Sequence, residues 1–384
     1  MGKLLLSLFG LLVLAALSGL AGWLWLNAQF TASGPSSEDG LPRRVVVEKG
    51  DGVQAIALAL ENAGVIADAG QFRLILRARE VLGDAPVLKA GEYLIDSGAS
   101  MQSVVEELTA GASVQYVVVI PEGLSSVQIL QLLGEEEWNT TESAFRPTDA
   151  MIEAQRAAYN ALPKEQRQKP FRARWGLTYR LTGEAPAEVP EGSLLPGDYA
   201  VSRGDTITSV ITRMRDAQNA LLNELWDMRS PDSPLKTREE AVILASVVEK
   251  ESGNADEQPT VAGLYLNRLK QGMRLQADAT IVYGITRGRP IGREILRSEI
   301  ETANAWNTYA MDGLPRTPIC HPGRGAIAAV LNPAPTKALF MMADGSGGHS
   351  FAETNAEHER NREAYWRLRR SNEAAGVDTP AVRQ

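Results

Sequence analysis

The first strong pattern along the chain is an almost unbroken apolar run over residues 4–26, preceded by Lys3. At about 1.5 Å per residue, such a run crosses a hydrocarbon core of about 30 Å as a single helix. It outlasts the short apolar core of a secretory signal peptide, although Ala15, Ala16 and the Gly19-Leu20-Ala21-Gly22 stretch keep a cleavage site open. Trp23 and Trp25 place interfacial aromatics at its far end. Residues 31–42 are rich in Ser, Gly, Pro and acid, a composition that predicts a tether. From Arg43 the pattern changes to short β-branched runs followed by helical periods. It predicts strands at 45–47, 91–95 and 117–120, and helices at 54–63, 71–81 and 126–133, hence an α+β fold.

Residues 90–108 and 196–214 align without a gap, pairing Gly91 with Gly197, Tyr93 with Tyr199 and Gly98 with Gly204. Each copy reads as a strand carrying a tyrosine, a glycine turn and a helix capped by Ser100 or Thr206. Between the two copies, residues 138–190 are polar and read as an insertion with a surface helix over 148–162.

Chemistry concentrates after Ser233. Thr237-Arg238-Glu239-Glu240 has capping-box spacing and opens an apolar run that ends in Glu249-Lys250-Glu251. On a helical wheel the polar sector of the first turns lies near Ser246 and Lys250, so Glu249 falls on the flank formed by Val242 and Ala245. Burial there disfavours the carboxylate and raises its pKa, as a general acid working near neutral pH requires. An ion pair with Arg238, Arg268 or Arg274 gives the same acid a purely structural role. Glu251 has equally apolar surroundings, so periodicity does not choose between the two acids, and about 200° of helix separates them.

Downstream stand Asn267, Arg268, Gln276, Asp278, Thr280 and Tyr283, then Asn307, Tyr309 and Gly313-Leu314-Pro315. Amides, hydroxyls and aromatic faces of this kind suit a neutral polyhydroxylated ligand. A net charge of -8 and a pI near 5.2 exclude nucleic acid as the main partner, because no basic surplus exists to neutralise phosphates. The single cysteine, Cys320, rules out an internal disulfide and a multi-cysteine metal site. The three histidines lack His-x-x-x-His spacing, and no Gly-x-Ser-x-Gly elbow exists, which speaks against a metallo- or serine hydrolase.

The blocks Leu244-Ala245-Ser246-Val247-Val248-Glu249-Lys250-Glu251, Asn267-Arg268-Leu269, Met273-Arg274-Leu275-Gln276 with Asp278 and Thr280, Asn307-Thr308-Tyr309, Gly313-Leu314-Pro315, Leu331-Asn332-Pro333-Ala334 and Ala343-Asp344-Gly345 resemble the MltG family, the YceG-like endolytic murein transglycosylases. The resemblance maps the family's catalytic glutamate onto Glu249. Glu251, Gln276, Asp278, Thr280, Tyr283, Asn307 and Tyr309 are the expected substrate-binding residues, with no metal or cofactor. It implies a stub and transmembrane helix over 1–30, a linker over 31–42 and a LysM-like strand–helix subdomain over 43–113. A YceG-like catalytic domain over 114–370 and a disordered tail over 371–384 complete the expected order.

The implied setting is the bacterial inner membrane, spanned once through residues 4–26, with the catalytic domain in the periplasm beside penicillin-binding synthases. The implied reaction cuts the MurNAc-GlcNAc bond within peptidoglycan glycan strands and leaves 1,6-anhydro-MurNAc ends. A glycosidase that uses water normally employs two carboxylates, whereas this motif supplies one, which suits attack by the sugar's own C6 hydroxyl. The alternative is a non-catalytic peptidoglycan-binding or scaffold protein of the cell-wall synthesis machinery. Arg316, Cys320 and His321, and the 338–342 stretch, depart from the family pattern.

Overall fold

The computed structural model describes residues 2–37, 40–111, 113–135, 138–139 and 178–374. The surface helix expected over 148–162 lies outside them. The chain divides into two compact units, the first comprising Met1–Val117, Glu137–Tyr179 and Ala200–Asp205 and the second the remainder. Among the described residues the strands form four two-stranded pairings, giving a mixed helix and strand architecture.

The first unit begins with α1 (Gly2–Thr31), which is long and apolar enough to cross a membrane and leaves Leu14, Leu17, Leu20 and Leu24 exposed. Then follow β1 (Arg43–Val47), α2 (Val53–Asn62), α3 (Ala69–Val81), β2 (Gly91–Ile95) and α4 (Met101–Ala110). Strands β1 and β2 pair antiparallel with Val45 opposite Tyr93, and their inner faces join Ile56, Leu60, Phe72 and Val104 in one core. Residues 31–37 are not the free tether that their composition predicts. Phe30 is buried in the same core, Gly34 N–H donates to Gly98 O at 3.2 Å, and Ser37 N–H donates to Ser97 Oγ at 2.8 Å. A Cβ on Gly34 would overlap the carbonyl of Ala99, so the small residues that suggested flexibility instead permit close packing.

Glu92 of β2 is fully buried and is held by Arg44, by Tyr116 Oη–H at 2.8 Å and by Arg203 Nε–H at 2.8 Å. Burial alone would raise its pKa, but the hydrogen bonds from Arg203 and Tyr116, with the charge of Arg44, outweigh that and hold it low.

The internal echo is a local structural repeat. Tyr93 Oη–H donates to Lys89 O at 2.8 Å, and Tyr199 Oη–H donates to Leu195 O at 2.7 Å, each four residues back. Ser100 caps α4 by accepting from Ser103 N–H, and Thr206 caps the following helix by accepting from Ser209 N–H, both at 3.1 Å.

In chain order, the remaining elements are β3 (Gln115–Ile120), α5 (Ser126–Glu135), β4 (Trp138–Asn139), β5 (Thr178–Tyr179), β6 (Gly197–Ser202), α6 (Ile207–Trp226) and α7 (Arg238–Glu251). They continue with α8 (Gln258–Lys270), α9 (Asp278–Thr286), α10 (Arg297–Glu301), α11 (Arg324–Leu331), β7 (Phe340–Ala343), β8 (His349–Ala352) and α12 (Asn355–Ala374). The last helix thus runs into the segment expected to be a disordered tail. Helix α7 opens on the expected Thr237–Glu240 capping box and is buried on all sides from Ala241 to Val248. It packs on α8 and α11, and α11 packs on α8, which makes a three-helix core for the second unit. This rigid centre carries the acids at the C-terminal end of α7.

Candidate functional site

Ser246 looks on the wheel like the solvent face of α7, yet it is fully buried and works inward. Its hydroxyl donates to Ile243 O at 2.7 Å and accepts Ile319 N–H at 3.0 Å, fastening the 319–323 loop onto the helix. In that loop Cys320 lies buried against Ser246 O. His321 Nδ1 accepts Leu194 N–H at 3.1 Å, so the proton sits on Nε2, which donates to Ser126 Oγ at 2.9 Å. Burial pulls His321 down to about 4, so the ring is neutral. Its backbone pairs on both sides with the Gly123–Leu124 turn that follows β3. Cys320 and His321, the departures from the family pattern, are therefore the clamp that holds this loop.

The clamped loop delivers Gly323 to Glu249. The Gly323 N–H donates to Glu249 Oε2 at 3.0 Å, and the Cα of Gly123 stands beside the Glu249 side chain. Gly323 also lies against a second acid, since a Cβ there would meet the carboxyl of Glu122. Two carboxylates thus converge on one glycine. Burial raises the pKa of Glu249, and the Glu122 charge raises it further, against the Gly323 N–H and Lys250. None of the three arginines considered as structural partners takes that role. Arg238 bonds Asn223, Arg274 pairs with Asp312, and Arg268 donates to backbone carbonyls.

Glu251 faces a different environment, a cavity of about 710 Å³ whose lining includes Tyr265, Gln276, Asp278, Tyr283 and Tyr309. Glu249 is outside that lining and adjoins it through Gly123 and Lys250. Burial and the nearby Asp278 charge push Glu251 up to about 7, opposed by the Ala279 N–H, the Tyr265 hydroxyl and the charge of Arg268. Tyr309 Oη–H donates to Asp278 Oδ1 at 2.7 Å. Gln276 sits on the cavity wall with φ 53, a left-handed conformation that costs about 1–3 kcal/mol in a non-glycine residue. Its backbone N–H is held by Thr308 O at 3.2 Å.

Five of the expected substrate-binding residues, Glu251, Gln276, Asp278, Tyr283 and Tyr309, line this one cavity. Thr280 and Asn307 do not reach it as contacts. Both are fully buried, Thr280 bonding Ala277 O and Thr308, while Asn307 Nδ2 donates to the carbonyls of Glu299, Ile300 and Thr302. Asn307 Oδ1 then accepts Tyr309 N–H at 3.0 Å, so these two residues position the wall that Tyr309 presents.

Glu122, Glu191 and Gly323 also belong to the site's surroundings, and the residue pattern around Glu249 does not single them out. The one available signal was the Pro-Glu-Gly triplet, which occurs at 121–123 and again at 190–192. Glu191 accepts Ser126 N–H on both oxygens, at 3.1 and 3.0 Å, and burial pushes it up to about 7 against the bonds from Ser126 and Tyr283. Because its folded pKa is raised, its contribution to stability is full below about 4.5 and is lost as pH rises through about 7. That loss amounts to about 3 kcal/mol. The variant E191Q is expected to unfold at a higher temperature than wild type at pH 8 but not at pH 5. Parallel curves of unfolding temperature against pH would show that Glu191 does not titrate in this range.

Comparison with known proteins gives the chain its relatives. Proteins named endolytic murein transglycosylase match the chain in Streptococcus pneumoniae (serotype 2, strain D39) at 29% identity and in Bacillus subtilis (strain 168) at 24%. Each alignment covers 83% of this chain, with 57% of the pneumococcal protein and 83% of the Bacillus one. The chain thus spans little more than half the length of the pneumococcal relative. A crystal structure of a yceG-like protein from Listeria monocytogenes is 22% identical and covers 83% of this chain and 98% of its own, with a TM-score of 0.42. The sequence model of the YceG-like family matches residues 45–364, from β1 through the Glu249 helix and the cavity to α12, and the chain belongs to that family.

Proposed function

We infer that this chain is a peptidoglycan lytic transglycosylase in which Glu249 acts first as acid and then as base. The names of the relatives supply the substrate class. The observation that carries the mechanism is the setting of Glu249: a carboxyl with a raised pKa on a rigid helix, one oxygen held by Gly323 N–H, beside a polar and aromatic cavity. Protonated Glu249 gives its proton to the glycosidic oxygen as the bond from that oxygen to C1 of the muramic acid breaks. The C6 hydroxyl of the same sugar closes onto C1 and passes its proton to the Glu249 carboxylate. Protons balance, no water is consumed, and the product carries a 1,6-anhydro-MurNAc end. Intramolecular attack removes the entropic cost of a second reactant, a saving of up to about 7–11 kcal/mol in well-oriented systems. Tyr309, paired with Asp278, and the exposed amide of Gln276 hold the strand, while Glu251 supports the wall between Ala279 and Tyr265.

The setting completes the proposal. Helix α1 anchors the chain once in the inner membrane, the catalytic domain (114–370) faces the periplasm, and the 43–113 segment is LysM-like. Cutting within strands beside penicillin-binding synthases would end their growth.

A second reading, hydrolysis, is favoured by one observation: the carboxyl of Glu122 converges with Glu249 on Gly323, and water-dependent glycosidases use two acids. The full chain incubated with uncrosslinked peptidoglycan strands, with products identified by mass spectrometry, separates the readings. Anhydro ends support transglycosylation, reducing ends support hydrolysis with Glu122 as the second acid, and intact strands leave a wall-binding protein.

A further inference from the structure

Helix α1 does not lead into a spacer. Its last turns pack against α3 and α4, Leu26 rests on the core of the first unit, and Phe30 is buried within it. The guanidinium of Arg79, in the last turn of α3, stands 4.7 Å from the centre of the Phe30 ring. The C-terminal end of α3 therefore sits beside the point where the apolar helix ends. The next residues leave three large apolar side chains in the open, with Val81, Leu82 and Val87 at 80%, 64% and 73% exposure. One exposed leucine on a soluble surface needs no explanation. Three between the C-terminal end of α3 and Val87, on a chain that passes beside the end of a long apolar helix, are a different matter if that helix crosses a bilayer. Arg73, Arg77 and Lys89 are exposed on the same stretch of chain and suit anionic headgroups, while of the exposed acids there, Glu80 and Asp84, the second is paired with Arg79.

We propose that the C-terminal end of α3 and the segment after it, carrying Val81, Leu82 and Val87, form a second membrane contact that seats the first unit on the lipid surface into which α1 inserts. The proposal rests on the reading of α1 as a membrane span. An apolar edge flanked by arginines enters the boundary between headgroups and acyl chains to a depth of about 5–10 Å. Joined to α1 without a spacer, it fixes the orientation of the unit instead of leaving it to swing.

The test uses the full chain in nanodiscs of phosphatidylcholine and phosphatidylglycerol whose acyl chains carry bromine, which quenches nearby fluorophores. Cys320 is buried, so a thiol-reactive fluorophore goes to an introduced cysteine. Labels at Leu17→Cys within α1 and at Leu82→Cys and Val87→Cys beyond it are compared. The expected result is strong quenching at Leu17 and partial quenching at Leu82 and Val87. Quenching at Leu17 with none at Leu82 and Val87 would overturn the second contact while leaving the anchor in place. No quenching at Leu17 would remove the anchor and the proposal with it.

Discussion

The variant E249Q is expected to lose about 10²–10⁴-fold in cleavage rate with its fold intact, the range typical of removing a general acid and base. An amide can still accept the Gly323 N–H that now reaches Oε2, so binding and stability should change little. Loss within about tenfold of wild type would remove Glu249 from the reaction. E251Q is the informative companion, because Glu251 lines the cavity and Glu249 does not. Held by Ala279 N–H and the Tyr265 hydroxyl, Glu251 should affect substrate affinity more than turnover. The reverse ranking would transfer the catalytic role to Glu251. The pH profile carries a sign: Glu249 must be protonated to begin, so the rate falls as pH rises through its raised pKa. Removing the Glu122 charge in E122Q should move that falling limb to lower pH.

Arg268→Ala is expected to cost about 3–5 kcal/mol of stability in urea denaturation. Arg268 is 8% exposed, and its guanidinium donates to Leu339 O and Leu275 O at 2.6 Å each, tying α8 to the chain before β7 and to the chain before α9. Its removal orphans those carbonyls, empties the space beside Phe340 and withdraws the positive charge that Glu251 feels. Arg268→Lys keeps the charge but not the planar fork, so it should recover only part of the loss. A stability within about 1 kcal/mol of wild type for the alanine variant would show that water replaces the guanidinium at low cost.

Local signals in the sequence carried far. The capping box at Thr237 and Glu240 and the caps at Ser100 and Thr206 are interactions within one turn, so spacing alone exposes them. The 90–108 and 196–214 repeat carried even its tyrosine hydrogen bonds across. Contacts between distant segments were not legible. Glu122 and Glu249 meet at Gly323 through three segments widely spaced along the chain, and no periodicity encodes such a meeting. Thr280 and Asn307 were misjudged for a related reason: a hydroxyl or amide on a loop looks the same whether it grips a ligand or the backbone. Composition misleads at 31–37, where Gly34 and Ser37 are small because they pack and bond, not because they swing. Ser246 lies in the polar sector of its helix, and its buried hydroxyl anchors the loop that brings Gly323 to Glu249, a contact that no wheel displays.

Whether cleavage consumes water is read most directly by digesting uncrosslinked strands with the full chain in water labelled with heavy oxygen. New muramic acid ends are expected to carry no label and to have the mass of the anhydro sugar. One labelled oxygen at each new end would contradict that expectation and make the enzyme a hydrolase.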